Sequence, residues 1–318
     1  MKPYARQNFR GSPPHGHGAP HAPKGPFIIA LTESKQVWES IQPPSRRART
    51  LAASYFALSP LDISASAPDD KEARDNEYKQ KAVAAIAVSD SERAYCRHWQ
   101  QWVQSLPSKN ARRVTATLQT PMLLNLSGGI LENAGIALEF SCGVPIIPGS
   151  AVKGSARRYA MALLAESHGQ ERIELLARII KVFGSVEADF MKGGDFEKVS
   201  KEEASAAGVK WGNNIGRVCF LQAVPENTPQ LCCDVLTPHH MKYMSGEYKT
   251  PEDTEAPIPS FYPAVACGRD SRYTFALYAP AQWDALLDTA ADWLKQAICL
   301  FGVGAKGSAG YGFFTVQE

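Results

Sequence analysis

The sequence predicts an α+β protein in which an antiparallel sheet carries helices on one face. Once a long polar loop is set aside, segments with strand and helix patterns follow in the order strand, helix, strand, strand, helix, strand. That order is the ferredoxin-like arrangement, which is also the framework of the RNA recognition motif. The exposed aromatic signature of that RNA-binding motif is not recognisable here, so the order alone predicts the fold and no ligand.

Each element of this prediction rests on a local pattern. Alternating apolar and polar residues with β-branched side chains predict strands, and apolar residues three or four apart predict helices. Ser150 is a favourable N-cap for the first of these helices. The predicted strands cover residues 113–120, 136–140, 216–224, 231–236, 262–267, 272–278 and 311–316. The predicted helices cover residues 151–164, 171–183 and 283–301.

The chain divides into three regions by composition. Residues 1–26 are rich in proline, glycine, arginine and histidine, which predicts a disordered tail. Residues 27–111 are predicted to be a helical N-terminal region, with a long helix over 71–105. Residues 112–318 are predicted to form the ferredoxin-like domain. Two polar stretches within it, 184–214 and 237–261, are predicted to be loop insertions.

Composition excludes several classes of protein. The 318 residues are 44% hydrophobic. A formal net charge of +2 does not by itself indicate nucleic-acid binding, so that function must be argued from local clusters of basic residues. The chain has seven cysteines, which are scattered apart from the adjacent Cys232 and Cys233 and form no C-x-x-C motif. They indicate a reducing compartment and no metal site. Because there is no apolar run of about 18 residues and no signal-peptide pattern, we expect a cytoplasmic protein with no membrane contact. No cofactor is predicted.

The stretch GVGAKGSAGYG, residues 302–312, contains the pattern G-x-G-x-x-G. In dinucleotide-binding proteins this pattern follows a strand and opens a helix, whereas here a predicted helix precedes it and a predicted strand follows. The nucleotide interpretation therefore fails. Clustered glycines instead allow the backbone to form a concavity that binds anions, with a tight helix-to-strand turn as the plain alternative. The candidate RNA-binding residues are Gly302, Gly304, Lys306, Gly307, Ser308, Gly310 and Tyr311.

A second candidate anion site lies at the start of the helix after the first strand. A helix N-terminus presents unpaired N–H groups and a partial positive charge, and Gly149 and Ser150 lie at that end. Lys153 and Arg157 are four residues apart, so they share a helix face. In a ferredoxin-like fold the last strand lies near the first. The helix start and the glycine loop are therefore expected to line one groove.

The polar stretch 237–261 is a candidate thumb, a projecting hairpin that would contact RNA or a neighbouring subunit. Its candidate residues are His239, His240, Lys242 and Tyr243. The alternative is an insertion without a role of its own.

Four segments in this order resemble the RAMP superfamily of CRISPR proteins, over roughly residues 112–318. They are NAGIAL at 133–138, GVPIIPGSAVKG at 143–154, VLTPHH at 235–240 and the glycine stretch. The closest resemblance is to the family of sixth subunits of type III-B (Cmr) effector complexes. It implies a noncatalytic subunit in antiviral defence that binds guide RNA near its 3′ end. Other RAMP subunits would be its partners, and target RNA would be met indirectly through the guide.

Two alternatives of different classes stay open at this point. One is a metal-independent endoribonuclease in which His239 or His240 acts as general base. Adjacent residues on an extended segment point in opposite directions, and no paired carboxylates supply a two-metal site, so no catalytic residue is predicted. The other is a protein-only scaffold that caps a complex without contacting RNA.

Overall fold

The computed structural model describes residues 90–125, 136–137, 139, 144–237, 239–253 and 260–317. The predicted tail at 1–26 and most of the helical region 27–111 lie outside these residues, as do Leu138 and Phe140 of the predicted strand 136–140. The helices are α1 Asp90–Ser105, α2 Gly149–Glu166, α3 Gly169–Phe183, α4 Lys201–Ala206, α5 Met241–Met244 and α6 Asp284–Leu300. The strands are β1 Ala111–Leu118, β2 Gly184–Ser185, β3 Asn214–Ile215, β4 Cys219–Phe220, β5 Val224–Pro225, β6 Leu231–Leu236, β7 Ser260–Val265, β8 Arg272–Tyr278 and β9 Phe314–Val316.

The main sheet has the strand order that the ferredoxin-like prediction requires. β1 lies between β9 and β8, and β4 and β5 pair with the other edge of β8. All of these pairings are antiparallel. The first and last strands of the domain are therefore neighbours, which brings the loop that precedes β9 close to the end of β1. The predicted fold class is confirmed.

One hydrophobic core joins this sheet to the helices. Val114, Ala116 and Leu118 of β1 are buried at the alternating positions expected for one face of a strand. They share the core with Leu294 of α6 and with the small residue Ala156 of α2. Small residues on α2 allow α2 and α6 to pack closely against each other.

The strand predicted at 216–224 is interrupted. Cys219 and Phe220 pair with Tyr278 and Leu277, but Val224 pairs with Thr274, so three residues of this strand face only two of β8. This is the register of a β-bulge. Within it, Ala223 and Ile147 exchange two backbone hydrogen bonds of 2.8 and 2.9 Å. The bulge thereby holds the loop before α2 against the sheet.

β6 and β7 form a separate two-stranded antiparallel hairpin outside the main sheet. Of the loop between them, residues 239–253 are described and contain the one-turn helix α5. The base of the hairpin is joined to the end of the first strand through backbone hydrogen bonds between Val265 and Met122. The candidate thumb residues are thus carried on a defined hairpin.

The stretch 184–214 contributes apolar residues to the main hydrophobic core. β2 pairs with β3, and Phe190 lies 5.2 Å from Phe196 and 5.0 Å from Trp211 between ring centroids. α4 begins with a capping box between Ser200 and Glu203. The polar, glycine-rich composition of this stretch did not reveal these elements. Among the helices that the structure describes, none is long and apolar enough to span a bilayer.

Candidate nucleic-acid interface

The start of α2 carries a partial positive charge, and no acidic residue lies in its first turn. The helix begins at Gly149, one residue before the predicted N-cap Ser150, and Pro148 at the cap position supplies no side-chain hydrogen bond. A side chain at position 149 would overlap the carbonyl oxygen of Phe220, so only glycine allows the helix to begin this close to β4. The arrangement is typical of a helix end that accepts an anion.

The glycine loop is folded tightly against the end of the first strand. Val303 N–H donates to the Gly312 carbonyl at 2.8 Å, and Ala305 N–H donates to the Leu123 carbonyl at 2.8 Å. Gly304 has a φ of 98°, and a side chain there would overlap the same Leu123 carbonyl. Lys306 is exposed and has a φ of 58°. These contacts show an ordered backbone concavity with a cation at its exposed end.

The helix start and the glycine loop converge on one cavity. Ser155 on α2 donates its hydroxyl hydrogen bond to the Gly302 carbonyl at 2.6 Å, which ties the two segments together. Beside this contact lies a cavity of about 750 Å³ that is open to solvent. Its lining residues are Leu124, Asn125, Ala137, Pro148, Ser150, Ala151, Gly154, Ser155, Arg158, Gly302, Gly304 and Ala305. The groove expected from the fold is therefore present, and both predicted segments border it.

The remaining predicted loop residues lie beyond the cavity lining. Gly307 and Ser308 fall in a short 3₁₀ turn that spans Gly307–Ala309, and Ser308 and Gly310 are exposed. Tyr311 is half-buried, and its hydroxyl donates a 2.9 Å hydrogen bond to the Asp234 carboxylate of β6. Tyr311 thus joins the glycine loop to the β6–β7 hairpin.

Arg158 is the α2 cation that faces the cavity. It lines the cavity wall, is exposed, and stacks over the Phe301 ring at 4.7 Å from the ring centroid. The candidate site residues chosen from the sequence include Arg157, whereas the arginine at the cavity is its neighbour, Arg158. The helical spacing of Gly154, Ser155 and Arg158 would have identified it, had the cavity-facing side of α2 been known.

Lys153 and Arg157 share the other side of α2, away from the cavity. Arg157 forms ion pairs with Asp195 at 2.7 Å and Asp189 at 3.2 Å, and its guanidinium lies over the Phe196 ring. Lys153 is half-buried. Burial lowers the pKa of Lys153, and repulsion from Arg157 lowers it further, against a smaller opposite effect of Cys219 and Asp189. Lys153 and Arg157 share one face of the helix, as predicted, but that face is turned towards the 184–214 insertion.

The candidate thumb residues lie together near the tip of the hairpin. His239 is exposed, and His240 has a φ of 57° and a buried Nδ1 that has no hydrogen-bond partner among the described residues. Lys242 donates to the Tyr248 hydroxyl at 3.1 Å. Tyr243 is exposed, as are the two methionines that bound α5. Across the part of the chain that the structure describes, no three His, Cys, Asp or Glu side chains gather into a metal-binding set.

The match to a family model decides the relationship of the chain. Residues 115–315 match the model of the RAMP superfamily. The chain belongs to the RAMP superfamily. This confirms the resemblance drawn from the sequence and covers the whole of the main sheet except the first residues of β1 and the last residue of β9.

One relative and two solved structures show what this chain is similar to. The "CRISPR system Cmr subunit Cmr6" of Pyrococcus furiosus is 29% identical over 254 residues, which cover 69% of this chain and 72% of the relative. A chain in the cryo-EM structure of the type III-B Cmr-beta complex bound to cognate target RNA has a TM-score of 0.51 at 18% identity, covering 92% of this chain and 95% of that one. The crystal structure of Cmr6 from Pyrococcus furiosus gives a TM-score of 0.37 at 22% identity, with 65% and 98% covered.

Proposed function

We propose that this RAMP protein is a noncatalytic guide-RNA-binding subunit of a type III-B CRISPR effector complex. The similarity to a Cmr6 subunit supports membership of such a complex. The place near the 3′ end of the guide, beside other RAMP subunits, follows from the same resemblance. Target RNA would then be met through base pairing with the guide.

The observation that carries RNA binding is the cavity between α2 and the glycine loop. One wall is a helix start without an acidic residue in its first turn, and the other is a glycine-rich backbone close to Lys306. Arg158 adds a cation to the α2 wall. An RNA strand offers repeated phosphates to such a surface, and contacts of this kind position the strand without selecting its sequence. The proposal therefore rests on Arg158, Lys306, Gly149 and Ser150, and it does not use Lys153 or Arg157.

The test compares cations on the two sides of α2. Removing one cation that neutralises a phosphate should reduce the slope of log affinity against log salt by about 0.7 for single-stranded nucleic acid. Between roughly 50 and 200 mM salt, one such ion pair changes affinity by about 2.5-fold. We expect Arg158→Gln and Lys306→Gln each to reduce the slope by this amount, measured by fluorescence anisotropy with a labelled guide RNA.

Lys153→Met is the matched control, because it removes a positive charge from the opposite side of the same helix. Its slope should equal that of the unchanged chain. If the slope of log affinity against log salt is the same in the unchanged chain and in all three variants, the cavity is not the RNA-binding site. That result would favour the protein-only scaffold.

A second experiment tests the assembly itself. The chain, isolated from its own cells at low salt, should carry a short guide RNA and several other RAMP subunits. A clean monomer without nucleic acid would contradict the proposal. The endoribonuclease alternative has its own signature: purified chain would cleave bare RNA, and His239→Ala or His240→Ala would abolish cleavage. We expect no cleavage.

A further inference from the structure

The Arg158 guanidinium and the Phe301 ring form a layered pair at the rim of the cavity. The guanidinium carbon lies 4.7 Å from the centroid of that ring. Beneath, Phe301 packs against Tyr159 with ring centroids 6.1 Å apart. The ring is therefore held from below, and it holds the guanidinium from one side.

The other arginine of this helix has a different environment. Arg157 is bound by two carboxylates of the 184–214 insertion, which it faces. Within the described ranges, no carboxylate forms an ion pair with Arg158, which is exposed. Paired carboxylates would have held Arg158 as a structural cation. Its interaction with an aromatic ring instead leaves the planar group available to a ligand.

The glycine loop leaves room at the edge of this pair. A side-chain carbon at position 307 would come within 3.9 Å of the Arg158 Nη1 atom. Because residue 307 is glycine, no side chain of this residue covers that edge of the guanidinium. Arg158 is itself exposed, so the layered pair is open to solvent.

We propose that Arg158 and Phe301 form a stacking platform for one unpaired nucleobase of the bound RNA. This inference rests on the proposed RNA-binding function and adds a base contact to it. Unpaired bases of single-stranded RNA stack on arginine planes and aromatic rings, and such stacking tolerates any base. The helix start at Ser150 and Arg158 are about 12 Å apart along α2. An RNA strand whose phosphate binds at the start of α2 would therefore run along the cavity before one of its bases reaches the platform.

The experiment separates base stacking from phosphate binding. The full chain is titrated into a labelled single-stranded oligoribonucleotide and into an abasic ribose-phosphate chain of the same length. We expect preference for the intact RNA. Arg158→Lys keeps the charge but loses the planar group, so it should reduce that preference about 5-fold or more while leaving affinity for the abasic chain nearly unchanged. Phe301→Leu should act in the same direction.

Arg178→Lys is the control, because Arg178 is an exposed arginine on α3 that pairs with Glu174 and does not line the cavity. It should keep the full preference. If Phe301→Leu lowers the melting temperature, its loss of binding could come from lost stability. The surface change Arg158→Lys then tests the platform by itself.

Three results would overturn the platform. An unchanged preference in Arg158→Lys would assign Arg158 to phosphate binding only. Equal affinity of the unchanged chain for both ligands, with its salt dependence intact, would reject the platform and leave the proposed function standing. Failure of the unchanged chain to bind either ligand would reject both.

Discussion

Two glycines of the same loop offer a matched test of how the loop is anchored. Gly304 and Gly310 have similar positive φ values, 98° and 94°. An added side-chain carbon at Gly310 meets nothing within 4 Å, whereas at Gly304 it overlaps the Leu123 carbonyl oxygen and lies 3.3 Å from the Leu124 side chain. Alanine should therefore cost about 1–2 kcal/mol of backbone strain at either position. At Gly304 the overlap should add about 1–3 kcal/mol.

The Leu123 carbonyl cannot move away without further cost, because it accepts the 2.8 Å hydrogen bond from Ala305 N–H. Urea denaturation with linear extrapolation measures the free energy of unfolding of both variants. We expect Gly304→Ala to be the less stable by about 1–3 kcal/mol, with similar m-values. Equal stabilities would mean that the loop is not pressed against Leu123, and the cavity would then lack the wall ascribed to it.

Two further predictions concern Tyr311 of the glycine loop and Lys153 of α2. Tyr311→Phe removes the hydrogen bond to Asp234 and should cost about 1 kcal/mol, and a double-mutant cycle with Asp234→Ala should show non-additive losses in urea denaturation. Lys153→Met should raise stability at neutral pH. The pKa of Lys153 is lower in the folded chain than its ordinary value of 10.5, so the charged form opposes folding. Stability should therefore rise as the pH increases through the window between the lowered pKa and 10.5. The advantage of the methionine variant should shrink over the same window in thermal unfolding, and a constant difference would contradict the burial of Lys153.

The fold could be predicted because each segment carries its own pattern. The alternation at 113–120 and the apolar spacing of 283–301 are local signals, and their order along the chain selects one known strand arrangement. The interruption of 216–224 has no such signal. It arises where Ala223 bonds to Ile147, a residue far earlier in the chain that no periodicity connects to it. Tertiary pairing of this kind overrides strand propensity.

The candidate site was predicted in part for the same reason. Strand order places the glycine loop beside the start of α2, so their convergence could be predicted from sequence. The i, i+4 spacing of Lys153 and Arg157 shows that they share a face, but it cannot show what that face contacts. Asp189 and Asp195, which belong to the 184–214 insertion, form ion pairs with Arg157 and hold its side chain towards that insertion. Arg158, one residue further, faces the cavity as a consequence.

Hydrogen exchange of the full chain, with and without a bound guide RNA, tests the central claim most directly. We predict slower amide exchange in residues 148–158 and 302–311, the two walls of the cavity, and unchanged exchange in residues 187–199 on the opposite side of α2. Protection confined to other segments, with both cavity walls exchanging as in the free chain, would contradict the account.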